Sequence, residues 1–163
     1  MVTFSLSLLA IGSITLMLYS AVALVQDKRL FGSAPKEARE LIQPKPERFK
    51  GQHFIGWVLL ILSLLMLIAV AVFAVWNGVR NNFGFWKFFA QFLTILYSYK
   101  AYDMICFDFL LLTRTHFFQK YYPEVDVCES CHKYGFNLKS QIIRIIVYPF
   151  VCALTAWICT LFT

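Results

Sequence analysis

No lysine or arginine precedes the first apolar run of this chain, and acidic residues are scarce: nine Asp and Glu stand against fifteen Lys and Arg. A secretory signal peptide needs a basic segment ahead of its apolar stretch. Ala21-Val22-Ala23 has the small-residue character of a cleavage site, yet Lys28 and Arg29 follow the apolar run instead of leading it. That order favours an uncleaved span with its N-terminus outside. The cysteines number five, an odd count that does not suggest a disulfide framework. A folded basic module is also missing, so the net charge of +6 does not indicate nucleic acid.

What is present is hydrocarbon. The 163 residues are 60% hydrophobic with a mean hydropathy of +0.65, and the apolar residues fall into runs long enough to cross a bilayer core about 30 Å thick. Four runs qualify, at about 3–25, 54–76, 85–113 and 141–162. The predicted fold is an all-α integral membrane protein, an antiparallel bundle of four transmembrane helices forming a single membrane domain over 1–163. Too little chain lies outside the spans for a second folded domain.

The charges report orientation. Connection 26–53 carries Lys28, Arg29, Lys36, Arg39, Lys45, Arg48 and Lys50, and connection 114–140 carries Arg114, Lys120, Lys133 and Lys139. The connection after the second span has only Arg80 and Lys87. The positive-inside rule therefore makes loops 26–53 and 114–140 cytoplasmic and puts both termini outside the cell membrane.

Three spans are chemically plain. Ser5, Ser7, Ser13, Thr15 and Ser20 in the first are small residues of the kind that let membrane helices pack closely. The second is almost pure Leu, Ile, Val and Ala between Trp57 and Trp76, an apolar wall with aromatic anchors. The fourth carries Arg144 near its cytoplasmic end, a kinking Pro149 and an outer Trp157. In the first cytoplasmic connection, Ser33 can cap a short helix to Ile42 lying along the headgroups.

The third span differs because it holds charges in its interior. At 100° per residue, with Lys100 as zero, Asp103 falls at about −60°, Arg114 at about −40°, Tyr97 at about +60° and Asp108 at about +80°. These five share one face, while Phe92, Leu93, Ile95, Met104, Ile105 and Leu112 fill much of the remainder. A lone charge at bilayer depth costs several kcal/mol, so such a face is expected to turn toward protein, water or a guest. Lys100 and Asp103, one turn apart, can pair directly. The same residues can instead form a polar network that only fixes helix packing.

The second cytoplasmic connection contains Cys128-Glu129-Ser130-Cys131-His132. Cys-x-x-Cys-His is the attachment sequence of a c-type haem, but attachment takes place outside the cytoplasm, against the expected compartment. A redox dithiol lacks its usual βαβ setting. A zinc site would take Cys128, Cys131 and His132, with His116 or His53 as a fourth ligand. Two loop cysteines without a role are the plainer reading, and no cofactor is required.

The run Tyr102-Asp103-Met104-Ile105-Cys106-Phe107-Asp108, then Pro123-Glu124, then Tyr134-Gly135-Phe136 with Lys139 before the last span, resembles a group of uncharacterised four-span membrane proteins of Gram-positive bacteria. There, two acids five apart in the third span precede a Pro-Gly-Thr-Glu-like turn and an aromatic segment ending in lysine. The chain lacks the intervening Gly-Thr, and Cys128 and Cys131 are not part of the pattern. The resemblance implies no activity; it marks Asp103 and Asp108.

Three functions follow as expectations. The first is binding or transport of a small molecule, lipid or ion at Tyr97, Lys100, Asp103, Asp108 and Arg114, with membrane lipids and a homo-oligomer or partner membrane subunit as partners and no nucleic acid. The second is a membrane enzyme using His and Cys metal or thiol chemistry on a lipid at the cytoplasmic interface. The third is an accessory subunit without a site.

Overall fold

A computed structural model describes residues 1–30, 40–43, 45–106, 117–124 and 138–163, and among them every regular element is helical. Helix α1 covers Val2–Tyr19 and runs into a wider π-helical turn, Ser20–Val25. Next come a single 3-10 turn at Lys28–Leu30, α2 (Gln52–Arg80), α3 (Phe85–Tyr102), the short α4 (Phe117–Tyr121) and α5 (Leu138–Thr160). After Tyr102 the backbone of 103–106 is again π-helical.

Among the described residues, three helical segments are long and apolar enough to cross a membrane: Val2–Val25, Gln52–Arg80 and Leu138–Thr160. Helix α2, at 29 residues, begins and ends beyond the span expected from its apolar run, because Gln52 and the Asn77–Arg80 turn continue its backbone bonding. Helix α3 is not among the three. Lys87, Gln91, Ser98, Lys100 and three tyrosines dilute its 18 residues. The expected stretch of the third span past 106 lies outside the described residues.

The described chain forms two compact units. One comprises Met1–Ile14, Leu64–Tyr102 and Lys139–Thr163. Among the described residues its core shows two apolar clusters. In the first, Leu6 and Ala10 of α1 meet Val70 and Ala74 of α2 and Ile95 of α3. In the second, Phe88 of α3 meets Ala156 and Cys159 of α5, with Val75 and Val79 of α2 beside them. Phe92 packs against both clusters. Thus α3 touches every long helix of this unit.

Helices α2 and α3 form a hairpin whose turn is set by Asn82, at φ 49°, and closed by the Phe83 N–H donating to the Gly78 carbonyl at 2.9 Å. Asn tolerates this left-handed conformation better than most residues. A Cβ on Gly78 would collide with the Phe88 ring, so only glycine lets the fully buried Phe88 close the hairpin. Phe83 and Phe92 flank that ring, with centroids 5.8 and 5.9 Å away.

The other unit comprises Thr15–Ser63 and Asp103–Leu138. Here the π-helical turn lies against the start of α2. A Cβ on Gly56 would fall 2.9 Å from both the Val25 nitrogen and the Leu24 Cβ, and Ser20 Oγ donates to the Gly56 carbonyl at 2.5 Å. The wall of α2 therefore has a seam. Gln52, Gly56, Ser63, Val70, Ala74 and Gly78 are its buried positions, spaced by fours and sevens. Most of its large residues, from Phe54 to Trp76, are exposed. Such a surface is untenable in water and ordinary against acyl chains.

Candidate functional site

Helix α3 buries different sides at different levels. Phe88, Gln91 and Ile95, which project within about 60° of one another, form the side turned into the core. Lys100 lies about 140° from Ile95 on the same wheel, yet it is only 2% exposed. The Lys100 side is thus covered at its own level, and the lysine is engaged by the protein. Asp103 is half-buried in the π-helical backbone after α3 and likewise has interactions.

Tyr97 behaves otherwise, and the reason lies in α5. Pro149 has no N–H, so the carbonyl four residues before it, that of Ile145, loses its helical donor. The Tyr97 hydroxyl donates to that oxygen at 3.2 Å. A side chain expected to line a polar pocket satisfies instead a backbone group orphaned by the proline. Its ring remains exposed.

Of the other expected site residues, Asp108, Arg114, His116, Cys128, Cys131 and His132 lie outside the described residues, as does most of the proposed helix after Ser33. Among the described residues no three His, Cys, Asp or Glu side chains converge as metal ligands. His53, the further candidate ligand, sits at the start of α2. Its backbone N–H donates to Glu47 Oε1 at 3.2 Å, and the Gly51 N–H donates to Glu47 Oε2 at 3.1 Å. These two bonds, Gly51 first, hold the Glu47 carboxyl below its ordinary range. Glu47 is the cap of α2.

A second polar assembly, which the sequence reading passed over, stands where the first span ends. Gln52, 1% exposed, donates from Nε2 to the Ala23 and Leu24 carbonyls at 3.2 and 3.0 Å, and its Oε1 accepts from the Arg48 N–H at 2.9 Å. The last carbonyls of a helix have no partner within it, and this amide supplies one. The Tyr122 hydroxyl, from a fully buried ring, reaches the Val22 carbonyl at 3.4 Å. Burial foremost, then the nearby Glu124 and Asp27 carboxylates, push its phenol well above the ordinary tyrosine range. Lys45 joins the two connections, donating to the Tyr121 carbonyl at 2.6 Å and pairing with Glu124 at 3.0 Å. Lys45 also lies 5.1 Å from the Tyr122 ring centre, and Arg48 5.0 Å from that of Tyr121.

The signal for this assembly was present in the sequence. Gln26 and Gln52 stand flush with the ends of apolar runs, where an amide can reach a helix terminus.

No family model, curated protein or solved structure matches this chain. Its function is therefore argued from its own residues.

Proposed function

We propose that the chain is a four-span membrane protein, both termini outside and loops 26–53 and 114–140 in the cytoplasm, that binds or moves a small molecule, lipid or ion at a polar site on its third helix. The observation that carries this reading is the burial of Lys100. An ammonium at membrane depth is costly enough that proteins keep it chiefly where it works, commonly with an acidic or anionic partner. Lys100 and Asp103 form the core of the site, with Asp108 and Arg114 as its continuation. Tyr97 is a supporting residue, because its hydroxyl is committed to Ile145. A bundle of four spans encloses little volume, so transport calls for a homo-oligomer or a partner membrane subunit.

The test uses Lys100→Met and Asp103→Asn in purified protein, reconstituted in vesicles and assayed with pH- and ion-sensitive dyes. Co-purifying lipid is read in parallel by native mass spectrometry. Variants that keep the wild-type melting temperature but lose flux or bound lipid support the site. Variants that keep both readouts and only melt earlier make the pair a packing device and overturn the proposal.

A further inference from the structure

The assembly at the end of the first span holds polar atoms that nothing among the described residues satisfies. Gln26 Nε2, Gln119 Nε2, Gln119 Oε1 and Glu124 Oε1 are buried and have no hydrogen-bond partner among the described residues. The two glutamines are only 3% and 7% exposed. Exchanging the oxygen and nitrogen of the Gln119 amide changes nothing, since both ends are empty.

These atoms belong to segments that are tied together. Gln119 lies on α4, which packs against the π-helical turn ending at Val25, and Gln26 follows that turn directly. Gln26 Oε1 accepts from Gln52 Nε2 at 3.5 Å. Glu124 reaches Lys45 through its other oxygen, and Lys45 is bonded to the Tyr121 carbonyl of α4. An unmet buried polar group destabilises the fold. Several such groups on joined segments, unmet among the described residues, make a candidate seat for a guest.

The chemistry of the seat narrows its guest. Two amide NH₂ groups offer hydrogens, and an amide oxygen and a carboxylate oxygen offer lone pairs, so the guest must both accept and donate. Lys45 already balances Glu124. The unpartnered Glu124 oxygen repels a phosphate. A hydroxyl donates and accepts through one atom, and several on one guest meet all four positions. The seat lies just beyond the apolar run that ends at Val25, the level of lipid headgroups.

We propose that Gln26, Gln119 and Glu124 bind an uncharged polyhydroxyl group, supplied by the headgroup of a neutral glycerolipid or glycolipid or by a free polyol. This seat is independent of Lys100 and Asp103. It can stand if the site on the third helix fails.

The test uses the full chain in detergent, with melting temperature and native mass spectrometry as readouts. The probes are a glucosyl-diacylglycerol, free glucose, free glycerol and phosphatidic acid. The glycolipid is expected to raise the melting temperature and stay bound. If the free polyols do so equally well, the source is soluble and the shared chemistry holds. Gln119→Leu is expected to weaken binding by about tenfold, the loss of one to two net hydrogen bonds, while raising the melting temperature of the ligand-free protein because an unmet amide is gone. Gln26→Leu serves as the second variant and should also weaken binding. No response to any hydroxylated probe overturns the proposal, as does equal or tighter binding of phosphatidic acid. Unchanged glycolipid affinity in both variants, or a Gln119→Leu protein that melts earlier without ligand, shows the amides to be structural and overturns it too.

Discussion

The bond from Tyr97 to the Ile145 carbonyl makes a prediction that separates packing from function at one residue. Pro149 removes the N–H that would otherwise serve that carbonyl, and the tyrosine replaces it at 3.2 Å from another helix. In lipid no water can take over the role, so removing the hydroxyl leaves an acceptor bare. A net hydrogen bond is worth about 0.5–1.5 kcal/mol in proteins generally, and about 0.6, at most about 1.7, between membrane helices. Tyr97→Phe should therefore cost about 1 kcal/mol by reversible denaturation in mixed micelles. Pro149→Ala restores a backbone donor to Ile145, so in that background the same change should cost close to nothing. The four proteins form a double-mutant cycle with an expected coupling of about 0.5–1 kcal/mol. Equal costs in the two backgrounds, within about 0.3 kcal/mol, would refute the argument that the proline created the acceptor the tyrosine serves.

Gly78→Ala should lower the melting temperature although alanine favours helix by about 1 kcal/mol, because its methyl meets the buried Phe88 ring and overpacking of a buried site costs about 1–3 kcal/mol. Gly56→Ala should do the same by parting α2 from the backbone of Leu24 and Val25. A Gly78→Ala protein as stable as the parent would contradict the packing of the hairpin. Glu47, whose carboxyl is held low by two backbone N–H groups, stabilises the fold fully above the usual glutamate range and loses that contribution as pH falls through its lowered folded value. Melting curves from pH 7 down to pH 3 should thus show a smaller acid-induced loss in Glu47→Gln than in the parent, and superimposable losses would exclude the cap.

Much of the helical organisation was legible in the sequence because long apolar runs admit few other readings. The first, second and last apolar runs appear as helices. The third span was legible as the polar one but not as a face. Tyr97, Lys100 and Asp103 share a side of the wheel, yet one is exposed, one is buried and one is half-buried. Burial along a helix depends on which neighbour covers each turn, and no single-helix projection contains that. The Tyr97 bond required knowing that Ile145 lies opposite it, a contact 48 residues away. The seam of α2 was hidden for another reason: Gly56, Ser63, Ala74 and Gly78 are too small to stand out against Leu and Ile, although smallness is what lets neighbours approach.

One problem recurs along this chain, and its solutions indicate where to look for function. Where the first helical segment ends and where Pro149 breaks α5, backbone carbonyls lose their donors, and a side chain from elsewhere supplies one. Tyr97 serves Ile145, Gln52 serves Ala23 and Leu24, and Tyr122 serves Val22. Polar side chains with such duties need no further explanation. Those without them do, because each was retained in an apolar setting at a cost that packing does not return. Gln119 and the Gln26 amide nitrogen belong to that remainder. So does Gln91, 3% exposed on the core side of α3 with both amide atoms unmet among the described residues. Its placement between Phe88 and Ile95 gives no surrounding polar set from which to choose a guest, whereas Gln119 has neighbours that do. Sorting buried polar groups by whether they answer a backbone deficit thus ranks the junction at the end of the first span beside the charged stretch of the third helix.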